Sequence, residues 1–206
     1  MTAVKFCGMT REEDLAAAVE LDVAAVGFVL WPGSPRYVDA TRVARLIAPL
    51  PPRIIPVGVY VRPTSDDLRR GLESGIRVAQ LHGSADAADE APCEVWVASS
   101  LTEEGLLPEV DDRFTVVLDA NDPIRYGGTG RTIDWTRAAR VAARRRVVLA
   151  GGLTAANVAQ AIRDVRPYAV DVASGIEDRP GVKNLEAMRA FVDAVREADD
   201  ARGRVR

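Results

Sequence analysis

Val116-Val117-Leu118-Asp119 is an apolar run that ends on a carboxylate, and the loop beyond it holds Gly127-Gly128-Thr129-Gly130. Read as a buried strand, the run delivers Asp119 to its C-terminal rim, and the glycines offer free backbone N–H groups beside the acid. An acid next to an anion cradle points to acid–base chemistry on a phosphorylated substrate. Cys7 closes another short run, Lys5-Phe6-Cys7-Gly8, just ahead of a helix. Lys5 lies two positions earlier on the same strand face, so its charge and the helix N-terminus could favour the thiolate. The bland alternative is a small buried hydrophobe, which is what most free cysteines are. Cys93, at the start of a strand, reads as core.

Further positions could bind or position a substrate. Arg36 sits in the proline-stiffened loop Gly33-Ser34-Pro35-Arg36-Tyr37, where a guanidinium could clamp a carboxylate or phosphate through two parallel hydrogen bonds, unless it is one more solvated arginine. His82, the lone histidine, ends a strand in Gln80-Leu81-His82-Gly83 and reads as a supporting residue near the substrate. Gly151 and Gly152 follow a seventh strand, and Ser174 and Gly175 an eighth, offering close backbone approach and oriented N–H groups to a phosphate; tight turns need glycine anyway. Asp171, inside the last strand, either faces the same mouth or satisfies backbone groups.

These residues need a scaffold that brings strand ends together. The chain repeats one unit: a short β-rich run, a turn, then a stretch with helical spacing. Strands are expected over Ala3–Cys7, Val23–Leu30, Ile54–Val61, Ile76–Leu81, Glu94–Ala98, Phe114–Leu118, Val147–Leu149 and Ala169–Ala173. Helices are expected over Arg11–Glu20, Ala40–Ala48, Asp66–Glu73, Ala85–Glu90, Thr102–Leu107, Trp135–Ala143, Ala155–Val165 and Leu185–Glu197. Thr10 with Glu13 has capping-box spacing, and Thr154 could cap the seventh helix. Parallel neighbours need a crossover whose helix covers the sheet, so the pattern predicts a single α/β domain over 1–198, a (β/α)₈ TIM barrel of eight parallel strands, with a polar C-terminal tail over 199–206. An open, doubly wound sheet is the alternative. In a barrel every strand-to-helix loop opens on one face, so the long loops Trp31–Asp39 and Ala120–Asp134 meet over one mouth.

Composition narrows the function. With 27 basic against 30 acidic residues the net charge is −3 and no long block of one sign occurs, which disfavours nucleic acid or an anionic membrane as partner and leaves a small molecule. No run is long enough to span a bilayer, two cysteines make no disulfide framework, and no leader precedes the first strand, so a reducing cytoplasm is expected, with a monomer as the expected state. No cluster has zinc-site spacing and no Walker or G-x-S-x-G motif occurs, so neither a metal site nor nucleotide hydrolysis is expected. Only Lys5 and Lys183 among the basic residues are lysine, the rest being arginine; codon bias in a GC-rich genome is the main reading of that imbalance, though both lysines fall in segments singled out on other grounds.

In order along the chain, Lys5-Phe6-Cys7-Gly8-Met9-Thr10, Ser34-Pro35-Arg36-Tyr37-Val38, Gln80-Leu81-His82-Gly83, Leu118-Asp119 with Gly127–Gly130 and Asp134-Trp135, Leu149-Ala150-Gly151-Gly152-Leu153, and Asp171 to Glu177 with Gly181-Val182-Lys183 resemble the phosphoribosylanthranilate isomerase family of tryptophan biosynthesis. The resemblance covers essentially the whole chain. It implies a cofactor-free and metal-free Amadori rearrangement of N-(5′-phosphoribosyl)anthranilate to 1-(2-carboxyphenylamino)-1-deoxyribulose 5-phosphate. It further implies Asp119 as general acid, Cys7 as general base, Arg36 on the anthranilate carboxylate, His82 and Asp171 near the substrate, and the glycine loops on the phosphate. Asn184 stands where the family commonly has aspartate, and Arg62 where it commonly has asparagine. Competing readings are a related sugar-phosphate isomerase or epimerase on the same barrel, including one that also takes a histidine-pathway intermediate, and a non-catalytic phosphate-ligand binding paralogue. The first expects a carboxylate where this chain has Cys7, and the second expects loss of the acid or the base.

Overall fold

The computed structural model describes residues 1–83, 86–89, 91–102, 110–119 and 134–203. Its elements run β1 (Ala3–Phe6), α1 (Glu12–Glu20), β2 (Ala25–Val29), α2 (Ala40–Ile47), β3 (Ile55–Val61), α3 (Ser65–Glu73), β4 (Val78–His82), β5 (Glu94–Ser99), β6 (Thr115–Leu118), α4 (Trp135–Ala142), β7 (Val147–Leu149), α5 (Val158–Val165), β8 (Ala169–Val172), β9 (Glu177–Arg179), β10 (Val182–Lys183) and α6 (Leu185–Gly203). Strands β1 to β8 pair in parallel, each with the next, and β8 returns to β1 to close the barrel. The open sheet is thereby excluded. β9 and β10 form a separate antiparallel hairpin after β8.

Strand periodicity decides what faces where. Ala25, Val57, Val78, Trp96, Val117, Val148 and Ala169 form a cluster with Ala150, just beyond β7, that contains no helical residue, which marks it as the barrel interior. Their neighbours in sequence, among them Val26, Val116, Leu118, Leu149 and Val170, pack outward against helical residues such as Leu15, Val43, Ile162 and Phe191. Successive side chains alternate faces, so two residues farther along each chain the inward face carries Gly27, Gln80, Asp119 and Asp171, with Lys5 in the same layer from β1. An apolar floor therefore supports a polar layer at the C-terminal mouth.

Several helix starts follow the caps that their sequences offer. Asp39 accepts from Arg42 N at 2.8 Å, Asp134 from Arg137 N at 3.1 Å, and Thr64 with Asp67 completes a capping box. Asn184 caps α6 through Ala187 N at 2.9 Å, as aspartate would, and its amide also donates to Asp178 at 2.7 Å. The substitution there keeps the cap. Arg62 takes a left-handed φ of 47°, a conformation that asparagine adopts more readily than arginine.

Two caps read from sequence are not formed. α1 has Arg11 at its N-cap with no side-chain capping bond; Thr10 Oγ1 instead donates to Gly181 O at 2.5 Å, and Glu13 pairs with Arg11. α5 begins at Val158, after Asn157, whose side chain accepts from Thr154 N at 2.8 Å and donates to Gly152 O at 2.9 Å. The Thr10 hydroxyl is thus committed to the turn between β9 and β10, which competes with capping, and before α5 it is Asn157, not Thr154, whose side chain bonds the turn. α6 extends to Gly203, beyond the Glu197 end expected, because Asp199 accepts from the hydroxyl of Thr2 at 2.9 Å and from its backbone N–H, pinning the helix to the start of β1. The described part of the expected helix Ala85–Glu90 is one 3-10 turn, Asp86–Ala88, and the helix expected over Thr102–Leu107 lies, from residue 103 on, outside the described residues.

Candidate active site

A cavity of about 380 Å³ opens at the C-terminal mouth, the size of a small-molecule site. Its lining includes Cys7 beyond β1, Arg36 from the β2–α2 loop, Gln80 and His82 from β4, Asp119 beyond β6, Gly151 and Gly152 after β7, and Asp171 and Ser174 from β8 and beyond. The fold thus brings together eight residues singled out in the sequence from six of the strand ends or the loops after them. Lys5 lies enclosed against Cys7, and Gly175 packs behind the lining, where a Cβ would run into Leu153 O. Gly128 and Gly130, with the rest of the loop Gly127–Gly130, lie outside the described residues.

Strand spacing sets the thiol and its neighbours. Lys5 and Cys7 share the inward face of β1, and Asp171, the register partner of Lys5 on β8, meets Lys5 Nζ at 2.9 Å. Burial works against the Lys5 charge, yet Asp171 and Cys7 outweigh it and hold the ammonium above its ordinary range. Sequence reasoning expected Lys5 to depress the Cys7 pKa. Burial instead pushes the thiol up; Lys5 and Lys183 act against that push and Asp171 adds to it. The thiolate therefore depends on Lys5 in a site that otherwise disfavours charge. Room for the pair comes from Gly27 on β2, where a Cβ would stand 2.9 Å from Cys7 Sγ and 3.2 Å from Lys5 Nζ.

On β4, Gln80 Nε2 donates to His82 Nε2 at 3.0 Å, which leaves the proton of the neutral imidazole on Nδ1. Burial, and then the charge of Lys5, lowers the His82 pKa to about 4, so the ring is uncharged near neutrality. Gln80 Oε1 and Asp171 Oδ1 are buried with no hydrogen-bond partner among the described residues. Both residues line the cavity, where these acceptors can receive ligand hydroxyls.

Arg36 meets Glu177 through Nε at 3.0 Å and Nη2 at 2.6 Å, and Glu177 also accepts from Lys183 Nζ at 2.8 Å. Burial raises the Glu177 carboxyl's pKa, but Arg36 and Lys183 together bring it below its ordinary range. Gly151 and Gly152 adopt φ of 80° and 62°, a left-handed pair closed to most side chains, and so turn backbone rather than side chain toward the cavity. These loops beyond β7 and β8 are where barrels often bind phosphate.

Gln80, Gly27 and the Arg36–Glu177 pair were not recognised as site features from sequence. Gln80 carried a usable signal, being an amide between Val78 and His82 on the inward face of β4.

A family model described as N-(5′-phosphoribosyl)anthranilate (PRA) isomerase matches residues 4–194. The chain is 44% identical over 200 residues to the N-(5′-phosphoribosyl)anthranilate isomerase of Chromohalobacter salexigens, with 94% of each chain covered. The crystal structure of phosphoribosyl anthranilate isomerase from Thermotoga maritima is similar with a TM-score of 0.86 at 32% identity, over 96% of this chain and 100% of that one. A solved phosphoribosyl anthranilate isomerase in complex with reduced 1-(o-carboxyphenylamino)-1-deoxyribulose 5-phosphate gives 0.83 at 31% identity, over the same 96% and 100%.

Proposed function

The chain belongs to the N-(5′-phosphoribosyl)anthranilate isomerase family, an aldose–ketose isomerase family of tryptophan biosynthesis, and from that premise we propose that Asp119 and Cys7 carry the rearrangement as acid and base. Protonated Asp119 gives its proton to the ribose ring oxygen, the C1′–O bond breaks, and the open chain is left as a Schiff base with the anthranilate nitrogen. Cys7 as thiolate then takes the C2′ proton, and the electron pair moves toward nitrogen to give an enolamine. Tautomerisation, with loss of the C2′ hydroxyl proton and protonation at C1′, yields the aminoketose. No electrons leave the molecule, which is why two proton-transfer groups suffice.

The observation that carries this reading is that Cys7 and Asp119 line one cavity from separate strand ends, with Lys5 against the thiol. Two anionic ends orient the ribose between them: the anthranilate carboxylate on Arg36, and the phosphate on the backbone of Gly151, Gly152 and Ser174, which Gly175 allows to pack closely. Gln80 Oε1 and Asp171 Oδ1 accept from the ribose hydroxyls. The substrate is a small molecule in the cytoplasm, where free Cys7 and Cys93 stay reduced.

The test is loss of substrate fluorescence on conversion of N-(5′-phosphoribosyl)anthranilate by the purified protein, with complementation of a tryptophan auxotroph lacking this step. Cys7→Ala and Asp119→Asn are each expected to lower kcat by roughly 10²–10⁴-fold with unchanged circular dichroism. Near wild-type turnover in either variant removes that residue from the mechanism.

A further inference from the structure

Glu177 opens the β9–β10 hairpin, with its side chain 3% exposed between two cations. Arg36 approaches it side-on, with Nε donating to Oε1 and Nη2 to Oε2. That edge of the guanidinium is occupied, so the end formed by Nη1 and the second Nη2 hydrogen is the part left for a ligand in the cavity that Arg36 lines. The Arg36 stem lies over Gly8, where a Cβ would come within 2.5 Å of Cδ, so the side chain is confined from that side as well. Lys183 grips Glu177 from its other flank and donates to the backbone carbonyls of Cys7 at 2.5 Å and Ala173 at 3.3 Å. Gly181 N closes the arrangement on Glu177 Oε1 at 3.2 Å.

One buried carboxylate thus links the guanidinium to the main chain of the residue that bears the thiol. Two cations against one anion leave the cluster with a single positive charge for an incoming carboxylate. We infer that Glu177 is a positioning residue: it aims Arg36 at the substrate carboxylate and, through Lys183, holds that clamp in register with Cys7. The inference rests on the assignment of Arg36 to the anthranilate carboxylate. A guanidinium fixed before binding surrenders less freedom when the ligand arrives, so the effect belongs to ligands that carry the carboxylate.

The experiment uses two ligands on the full-length protein: reduced 1-(o-carboxyphenylamino)-1-deoxyribulose 5-phosphate, and the same compound without its ring carboxylate. Glu177→Gln is expected to weaken the first on the order of tenfold and to leave the second within about twofold. Equal weakening of both ligands, as a merely structural role gives, overturns the inference, and so does tighter binding of the carboxylate ligand. If Glu177→Gln fails to fold, Glu177→Asp keeps the charge, shortens the reach and is measured with the same pair. Wild-type protein that binds both ligands equally overturns the assignment of Arg36 and the inference with it, whereas wild-type protein that binds neither overturns the proposed function.

Discussion

Lys5 Nζ stands 2.9 Å from Asp171 Oδ2 below the cavity mouth, both side chains closed to solvent, and the Cys7 thiol competes with that carboxylate for the same ammonium. The two neighbours act on the thiol in opposite directions. Lys5 favours the thiolate and Asp171 opposes it, while burial keeps the pKa above the ordinary thiol value. Activity that needs the thiolate rises with pH through that pKa. Lys5→Met is therefore expected to move the acidic limb of kcat/KM to higher pH, and Asp171→Asn to move it to lower pH, each by about one to three units. Either change strands one buried charge at a cost of about 3–5 kcal/mol, so the profiles are collected where near-ultraviolet circular dichroism shows the variants folded. Limbs that coincide with wild type in both variants rule out Cys7 as the titrating base.

Gly27 allows this arrangement by having no side chain. Its φ is not among the left-handed ones, so alanine costs nothing in backbone strain and the whole penalty is steric, against Cys7 Sγ and the end of Lys5. Gly27→Ala is expected to destabilise by about 1–3 kcal/mol through overpacking. Displacing the thiol from its line of attack is expected to lower kcat/KM on the order of a hundredfold. Stopped-time turnover with a urea melt separates the two effects. Full activity in a folded variant means that the thiol has room the geometry denies it.

The barrel was legible because each strand-and-helix unit carries its own local signal; Val147–Leu149 emerged with the boundaries read for it. Cys7 and Asp119 were legible as residues of the mouth because chemistry-bearing side chains at the ends of apolar runs are conspicuous, whereas Asp171, inside its strand, left two readings open. Glu177 was not, since its meaning lies in contacts with Arg36, 141 positions away, and Lys183, across a hairpin whose pairing no local pattern announces. Thr10 misled for the same reason: it has the spacing of a cap, but its hydroxyl is spent on Gly181 O, 171 positions away, a contact that only the closed barrel creates. Thr154 misled locally, because Asn157 supplies the side-chain bonds of the turn before α5. The two lysines in an arginine-rich chain were a better signal than their number suggested. Both are buried, Lys5 against Asp171 and Lys183 against Glu177 and two carbonyls, and the compact ammonium of Lys183 spends its donors on three separate acceptors.

His82 gives the fold an acid-sensitive point at the same mouth. Burial, with help from the charge on Lys5, depresses its pKa from 6.5 to about 4. Between those values the unfolded chain binds a proton that the folded chain refuses. Stability from this residue is thus complete above about pH 6.5 and lost as pH falls toward 4. The full loss is about 3 kcal/mol. His82→Gln abolishes this titration while leaving every carboxylate in place. Urea unfolding near pH 7 and about pH 4.5 is expected to show wild type losing about 2–3 kcal/mol more than the variant. Parallel losses in the two proteins mean that the imidazole is protonated in the folded state, and the neutral ring that accepts from Gln80 is then wrong.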